Sequence, residues 1–158
     1  MKALLVVDIQ ERFIKGSHAY EEDRFIRTVN KAIDSFRKAG DFIVYVHHIK
    51  GDVVPGTPGW EFDQRVHKDN NAPNVWKTKG NAFDGTNLRE ILDEKNVTEI
   101  TVCGLVTQNC IRSTCIGCIE EEYKTYLVKN GTTNWTDDPR KTIDDVEAEL
   151  KDLGVVTG

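Results

Sequence analysis

Between Thr98 and Cys118 the chain changes its period, and that change limits what it can fold into. Ile100, Thr101, Val102 and Cys103 form a short β-branched run, of the kind found in strands covered on both faces. Gly104 interrupts it. Thr107, Gln108 and Asn109 are helix-starting residues, and Cys110, Ile111, Thr114 and Gly117 follow at spacings that repeat along one helix face. This places Cys110 in the first turn of a helix. There the unpaired backbone N–H groups and the positive end of the dipole favour a thiolate over a thiol. Cys110 is therefore a candidate nucleophile.

The rest of the chain repeats the alternation. Lys2 to Asp8 reads as a buried strand ending in an acid, and Glu21 to Lys38 as an amphipathic helix carrying Phe25, Ile26, Val29, Ala32, Ile33 and Phe36, closed by Gly40. Asp41 to His48 is a second buried strand. Gly51, Pro55, Gly56, Pro58 and Gly59 mark a long loop, with a short helix expected over Glu61 to Val66. A third strand is expected around Val75-Trp76-Lys77, and a helix from Thr86 leads to the Cys103 strand. A fifth strand over Lys124 to Lys129, a helix over Asp137 to Leu153 and a sixth strand over Gly154 to Thr157 complete the pattern. Alternating strands and helices imply a parallel sheet covered on both faces, in a single α/β domain spanning 1–158.

A chain of 158 residues suits one domain. Its net charge of −5, with no run of more than two adjacent basic residues, lacks the positive field that holds a phosphate backbone. Nucleic acid is not an expected partner. The apolar run at the start meets Asp8 too early for a signal peptide and far too early for a membrane span. A soluble, cytoplasmic protein is expected. Cys103, Cys110, Cys115 and Cys118 are then more fitted to packing or catalysis than to disulfides. The C-x-x-C at Cys115 and Cys118 falls in mid-helix with no second pair to complete a zinc set.

In open α/β sheets the site lies beyond the carboxyl ends of the strands. Asp8 closes the first strand, Lys77 the third, and Cys110 opens the helix after the fourth. The first turn reads Ile9-Gln10-Glu11-Arg12-Phe13 and offers no glycine cradle for a dinucleotide. There is also no P-loop and no G-x-S-x-G elbow, and Gln at position 10 removes the second acid of a phosphotransfer site.

These residues resemble the isochorismatase-like, or cysteine hydrolase, family. Asp8-Ile9-Gln10 with Phe13 is similar to its D-x-Q-x-x-F, and Gly56-Thr57-Pro58-Gly59-Trp60 to its G-T-x-G-W. Lys77, Asn81-Ala82-Phe83, Gly85-Thr86 and Leu88 resemble K-x-x-x-S-A-F-x-G-T-x-L, and Gly104 to Cys110 with Thr114 resembles G-x-x-T-x-x-C-x-x-x-T. The resemblance implies six strands in the order 3-2-1-4-5-6, a catalytic triad of Asp8, Lys77 and Cys110, and a non-proline cis peptide just before Thr107. It also implies oxyanion contacts from the backbone at Val106, Thr107 and Cys110, and a substrate pocket involving Gln10, Phe13, Trp60 and Phe83. Asn81 and Asn130 depart from the family pattern and bear on substrate contacts rather than the triad.

The implied chemistry is hydrolysis of an amide or ureido C–N bond in a small molecule. Lys77 and the helix terminus would lower the pKa of Cys110, and Asp8 would act as general acid and base. The members that cleave a vinyl ether generally lack the cysteine; a vinyl-ether hydrolase and a non-catalytic thiol binding or redox module on the same fold remain the alternative readings. Nicotinamidases of the family bind zinc through Asp-x-His and a later His. Here the second strand ends Tyr45-Val46-His47-His48, and the two histidines point to opposite sheet faces. No metal and no cofactor are expected; His18 and His67 show no partner in the sequence, and a homodimer or larger oligomer is expected by family analogy alone.

Overall fold

The computed structural model describes all of residues Met1–Gly158. Strands β1 (Lys2–Val7), β2 (Phe42–His48), β3 (Asn74–Lys77), β4 (Glu99–Leu105), β5 (Lys124–Thr133) and β6 (Val156–Thr157) form one parallel sheet in the order β3-β2-β1-β4-β5-β6. Helices α1 (Glu11–Ile14), α2 (Glu22–Lys38), α3 (Leu88–Glu94), α4 (Arg112–Glu120) and α5 (Pro139–Asp152) fill the crossovers. Order and class agree with the sequence reading.

Because successive strand residues face opposite ways, β1 supplies both cores. Leu4 and Val6 pack with Phe25, Ile26, Val29 and Ile33 of α2, while Ala3, Leu5 and Val7 pack with Leu88 and Leu92 of α3, Cys115 and Cys118 of α4, and Val146 and Leu150 of α5. The cysteines of the C-x-x-C are thus core residues, and all four cysteines are free. The same alternation sorts the ends of the strands. Val46 and Val75 belong to the α3/α4 face, so His48 and Lys77, two residues further on, open onto that face beside Cys110.

Three local expectations are corrected. Glu61 to Val66 is not a helix; a single 3-10 turn forms earlier, over Pro58–Trp60. Phe62 instead bridges Gln10, and Asp63 N–H donates to Ile9 O at 2.9 Å, so the segment is a strap tied to the chain after β1. β4 does not stop at Gly104 but continues to Leu105. Gly104 has φ 131, and a side chain there would overlap the backbone of Val7; glycine is what lets β4 stay against β1. β5 runs past Lys129 to Thr133, because the ladder shifts register between Val102↔Leu127 and Gly104↔Thr132. Asn130 takes the positive φ of 60 that this bulge contains.

Candidate active site

Asp8 follows β1 with φ 58, which takes it out of the strand's alternation, and its N–H is fixed by Val46 O at 2.8 Å. It is 2% exposed and Lys77 is 1% exposed, so neither charge can rely on water and each needs a partner. Lys77 Nζ donates to Asp8 Oδ2 at 2.9 Å and to Cys110 Sγ at 3.3 Å. Three residues from distant segments therefore meet around one ammonium.

Cys110 lies in a π-helical turn, Thr107–Ile111, rather than in the first turn of an ordinary helix. Ile111 N–H donates to Val106 O at 3.3 Å, which widens the turn. The cis peptide joins Leu105 to Val106, one bond earlier than expected. The turn is anchored from β5: Thr107 Oγ1 is within 3.1 Å of both Thr132 Oγ1 and Thr133 O, and it accepts from Asn134 Nδ2 at 3.3 Å. α4 is fastened to the loop after β3 by Thr114 Oγ1, which accepts from Ala82 N and donates to Gly80 O. These bonds fix the distance between Lys77 and Cys110.

The electrostatics differ from the sequence expectation. Burial, reinforced by the Asp8 carboxylate, pushes the Cys110 thiol up to about 11, and the opposing pull of Lys77 does not outweigh them. Burial and the carboxylate thus favour the thiol over the thiolate in the empty site. Burial also raises the Asp8 carboxyl, against the attraction of Lys77, which makes Asp8 a stronger base for the thiol proton. Its Oδ1 is buried with no hydrogen-bond partner, an acceptor position left open beside the sulfur.

A pocket of about 360 Å³ opens over this group, of a size for a small molecule. Asp8 and Cys110 lie in its lining with Phe13, His48, Asn109 and Trp135; Lys50, Gly80, Leu105, Val106 and Ser113 complete it. Of the other residues named from sequence, Gln10 is fully buried and bonds the backbone of His48. Trp60 stacks on His47 with ring centroids 4.3 Å apart, and Phe83 stacks on Tyr123 at 6.0 Å; none of these three lines the pocket. Asn81 packs over Gly117, where a Cβ would collide with it, and Asn130 sits in the β5 bulge. Neither departure from the family pattern reaches the pocket.

His48, Lys50, Asn109, Ser113 and Trp135 are pocket residues that the sequence reading missed. His48 closes β2 as Lys77 closes β3, and the strand-end rule applied to β2 would have found it. Trp135 follows the true end of β5, which the reading placed at Lys129. His67 also has a partner, Asp34 Oδ1 at 2.9 Å from Nδ1.

Asp8, His48 and Cys110 each present a possible metal-ligand atom, all within 4.8 Å of one another. The place of a cation among them is taken by the Lys77 ammonium, which contacts all three. The set does not fit a resident metal. His47, on the opposite face, is buried between Trp60 and Phe62 and pushed down to about 3 by that burial. The other three cysteines are buried, with thiol pKa values raised by desolvation; that is the condition of packing sulfurs, not of a redox pair.

Fold and site together define an α/β protein with a cysteine, an acid and a lysine at the carboxyl edge of its sheet. Residues 2–147 match the Isochorismatase domain, and the chain belongs to that family. A streptothricin hydrolase of Streptomyces noursei is 35% identical over 121 residues, 72% of this chain and 47% of that protein. The chain thus spans about half the length of that relative. Among solved structures, an isochorismatase family protein superposes with a TM-score of 0.94 at 22% identity, covering 99% of this chain and 97% of the other, which shows the fold alone. An N-carbamoylsarcosine amidase from Thermoplasma acidophilum superposes with a TM-score of 0.84 at 25% identity, covering 99% and 94%. No helix is long and apolar enough to cross a membrane.

Proposed function

We propose that this chain, as one catalytic domain over residues 1–158, hydrolyses an amide or ureido C–N bond in a small molecule, with Cys110 as nucleophile. The observation that carries this reading is the single buried Lys77 ammonium joined to both the Asp8 carboxylate and the Cys110 sulfur, which line a pocket. The relatives named as a streptothricin hydrolase and an N-carbamoylsarcosine amidase favour C–N cleavage over vinyl-ether hydrolysis.

Burial favours the protonated form of Cys110, so its proton passes to Asp8 as the sulfur attacks the carbonyl carbon. A C–S bond forms while the carbonyl π pair moves to oxygen, and backbone N–H groups at Val106, Thr107 and Cys110 receive that charge. The N–H of Asn109 is not in this set, because it already donates to Val106 O. Collapse of the adduct breaks the C–N bond, and Asp8 returns its proton to the leaving nitrogen. Water then attacks the thioester, gives a proton to Asp8 and releases the acid, and Asp8 reprotonates the departing sulfur. Lys77 holds the carboxylate and steadies charge on sulfur through both halves.

The test is trapping. Acid quench of the protein with a panel of carboxamides and ureido compounds should give an acyl adduct mapping to Cys110, absent in Cys110→Ala. Hydrolysis by Cys110→Ala at the wild-type rate would overturn the assignment.

Trp135 is 42% exposed in the free protein and would be covered by a bound substrate. Trp135→Ala should raise KM about tenfold with kcat within about twofold, the loss of about 1.4 kcal/mol of binding. Melting temperature should change little.

A further inference from the structure

The three N–H bonds of Lys77 have three acceptors. Two are Asp8 and Cys110; the third, at 2.7 Å, is Nδ1 of His48, and the chemistry above gives it no part. An ammonium can only donate, so Nδ1 must carry a lone pair and the ring must be neutral with its proton on Nε2. Burial, with the charges of Lys77 and Lys50, pushes the His48 pKa down to about 4, which keeps Nδ1 an acceptor at neutral pH.

The residue that carries the imidazole is held at its backbone. Gln10 Nε2 donates to His48 O at 3.0 Å and Gln10 Oε1 accepts from His48 N–H at 2.7 Å. A fully buried side-chain amide thus closes both hydrogen bonds of this residue at the end of β2, and Phe13 meets the ring edge to face at 6.2 Å.

We infer that His48 is a positioning residue for Lys77: clamped by Gln10, its Nδ1 takes the third N–H of the ammonium and so aims the other two at Asp8 and Cys110. With that acceptor gone, one N–H of a buried ammonium has no partner, and the head is free to turn about its last bond. The hold on Cys110 then weakens. This inference rests on the reading of Lys77 as the group that steadies the Cys110 sulfur.

The test needs no substrate. Alkylation of Cys110 by iodoacetamide, read on its own peptide by mass spectrometry, is followed in the full chain from pH 7 to 10. The charged groups facing the ring are Lys77 and Lys50, with Asp8 and Cys110 beside them, and all remain in the variants. His48→Phe keeps a ring but removes the acceptor; it should slow alkylation at pH 8 about tenfold, one unit in the apparent pKa of the sulfur. His48→Asn places an amide oxygen near Nδ1 and should stay within about twofold of wild type. If His48→Phe does not fold, His48→Leu carries the same comparison. A profile for the acceptor-free variant that superimposes on wild type overturns the inference, and so does an Asn variant as slow as Phe. An amide panel without turnover would sink the hydrolase reading while leaving this result standing.

Discussion

Asp8→Asn should cut turnover about a hundredfold to ten-thousandfold, the range for losing a positioned general acid and base, while making Cys110 easier to alkylate. The two effects have opposite signs because Asp8 acts on the sulfur in two ways. Its carboxylate raises the thiol pKa, whereas Lys77 lowers it. An amide removes the first influence and leaves the second, so iodoacetamide should react faster at pH 8. The same amide cannot take the thiol proton or hand it to a leaving nitrogen, so catalysis stalls. Stability should fall less than for most broken buried ion pairs, where about 3 to 5 kcal/mol is lost. Burial outweighs the attraction of Lys77 at Asp8, so the ionised carboxylate is already a cost to the folded state. Steady-state kinetics, alkylation rate and thermal unfolding of one preparation separate the three effects. Turnover within tenfold of wild type would remove Asp8 from the mechanism.

Gly104→Ala should destabilise the protein by about 4 kcal/mol or more, in the range reserved for a few severe mechanisms. The added methyl would overlap Val7 O and lie 2.8 Å from Val7 N, both backbone atoms of the neighbouring strand. Backbone in mid-sheet cannot swing aside as a side chain can, and the φ of 131 is itself strained for alanine. For a chain of this length the loss corresponds to about 8 to 16 °C in melting temperature, and a marginal host would not fold at all. Gly40→Ala is a useful contrast. That glycine also has positive φ, at 74, but nothing lies within 4 Å of its Cβ position, so only the conformational part of the cost should appear. Equal losses at the two positions would show that the β1–β4 approach is not the cause.

Much of this architecture can be read from residue patterns. The unbroken apolar run of Lys2 to Val7, buried on both faces, and the face of α2 carrying Phe25, Ile26, Val29 and Ile33 are both visible in local sequence. Asp8, Lys77 and Cys110 were legible because strand ends converge by topology, whichever residues occupy them. What escaped depends on contacts distant in sequence. The strap at Phe62 is held by Gln10 and Ile9, about fifty residues earlier. The extension of β5 depends on a bulge against Gly104, and with it went Trp135. The direction of the thiol's pKa shift is hidden for a similar reason: the helix-start argument treats Cys110 alone, whereas desolvation and the neighbouring carboxylate raise it.

The burial of Cys110 beside a carboxylate, which raises its pKa, has a consequence outside the reaction. Peroxides attack thiolates far faster than thiols, so under the proposed mechanism, in which Cys110 gives up its proton only as it attacks a carbonyl, the sulfur is a poor target for them between turnovers. Damage by hydrogen peroxide should therefore be slow in the empty enzyme and should spare the three sulfurs packed in the core.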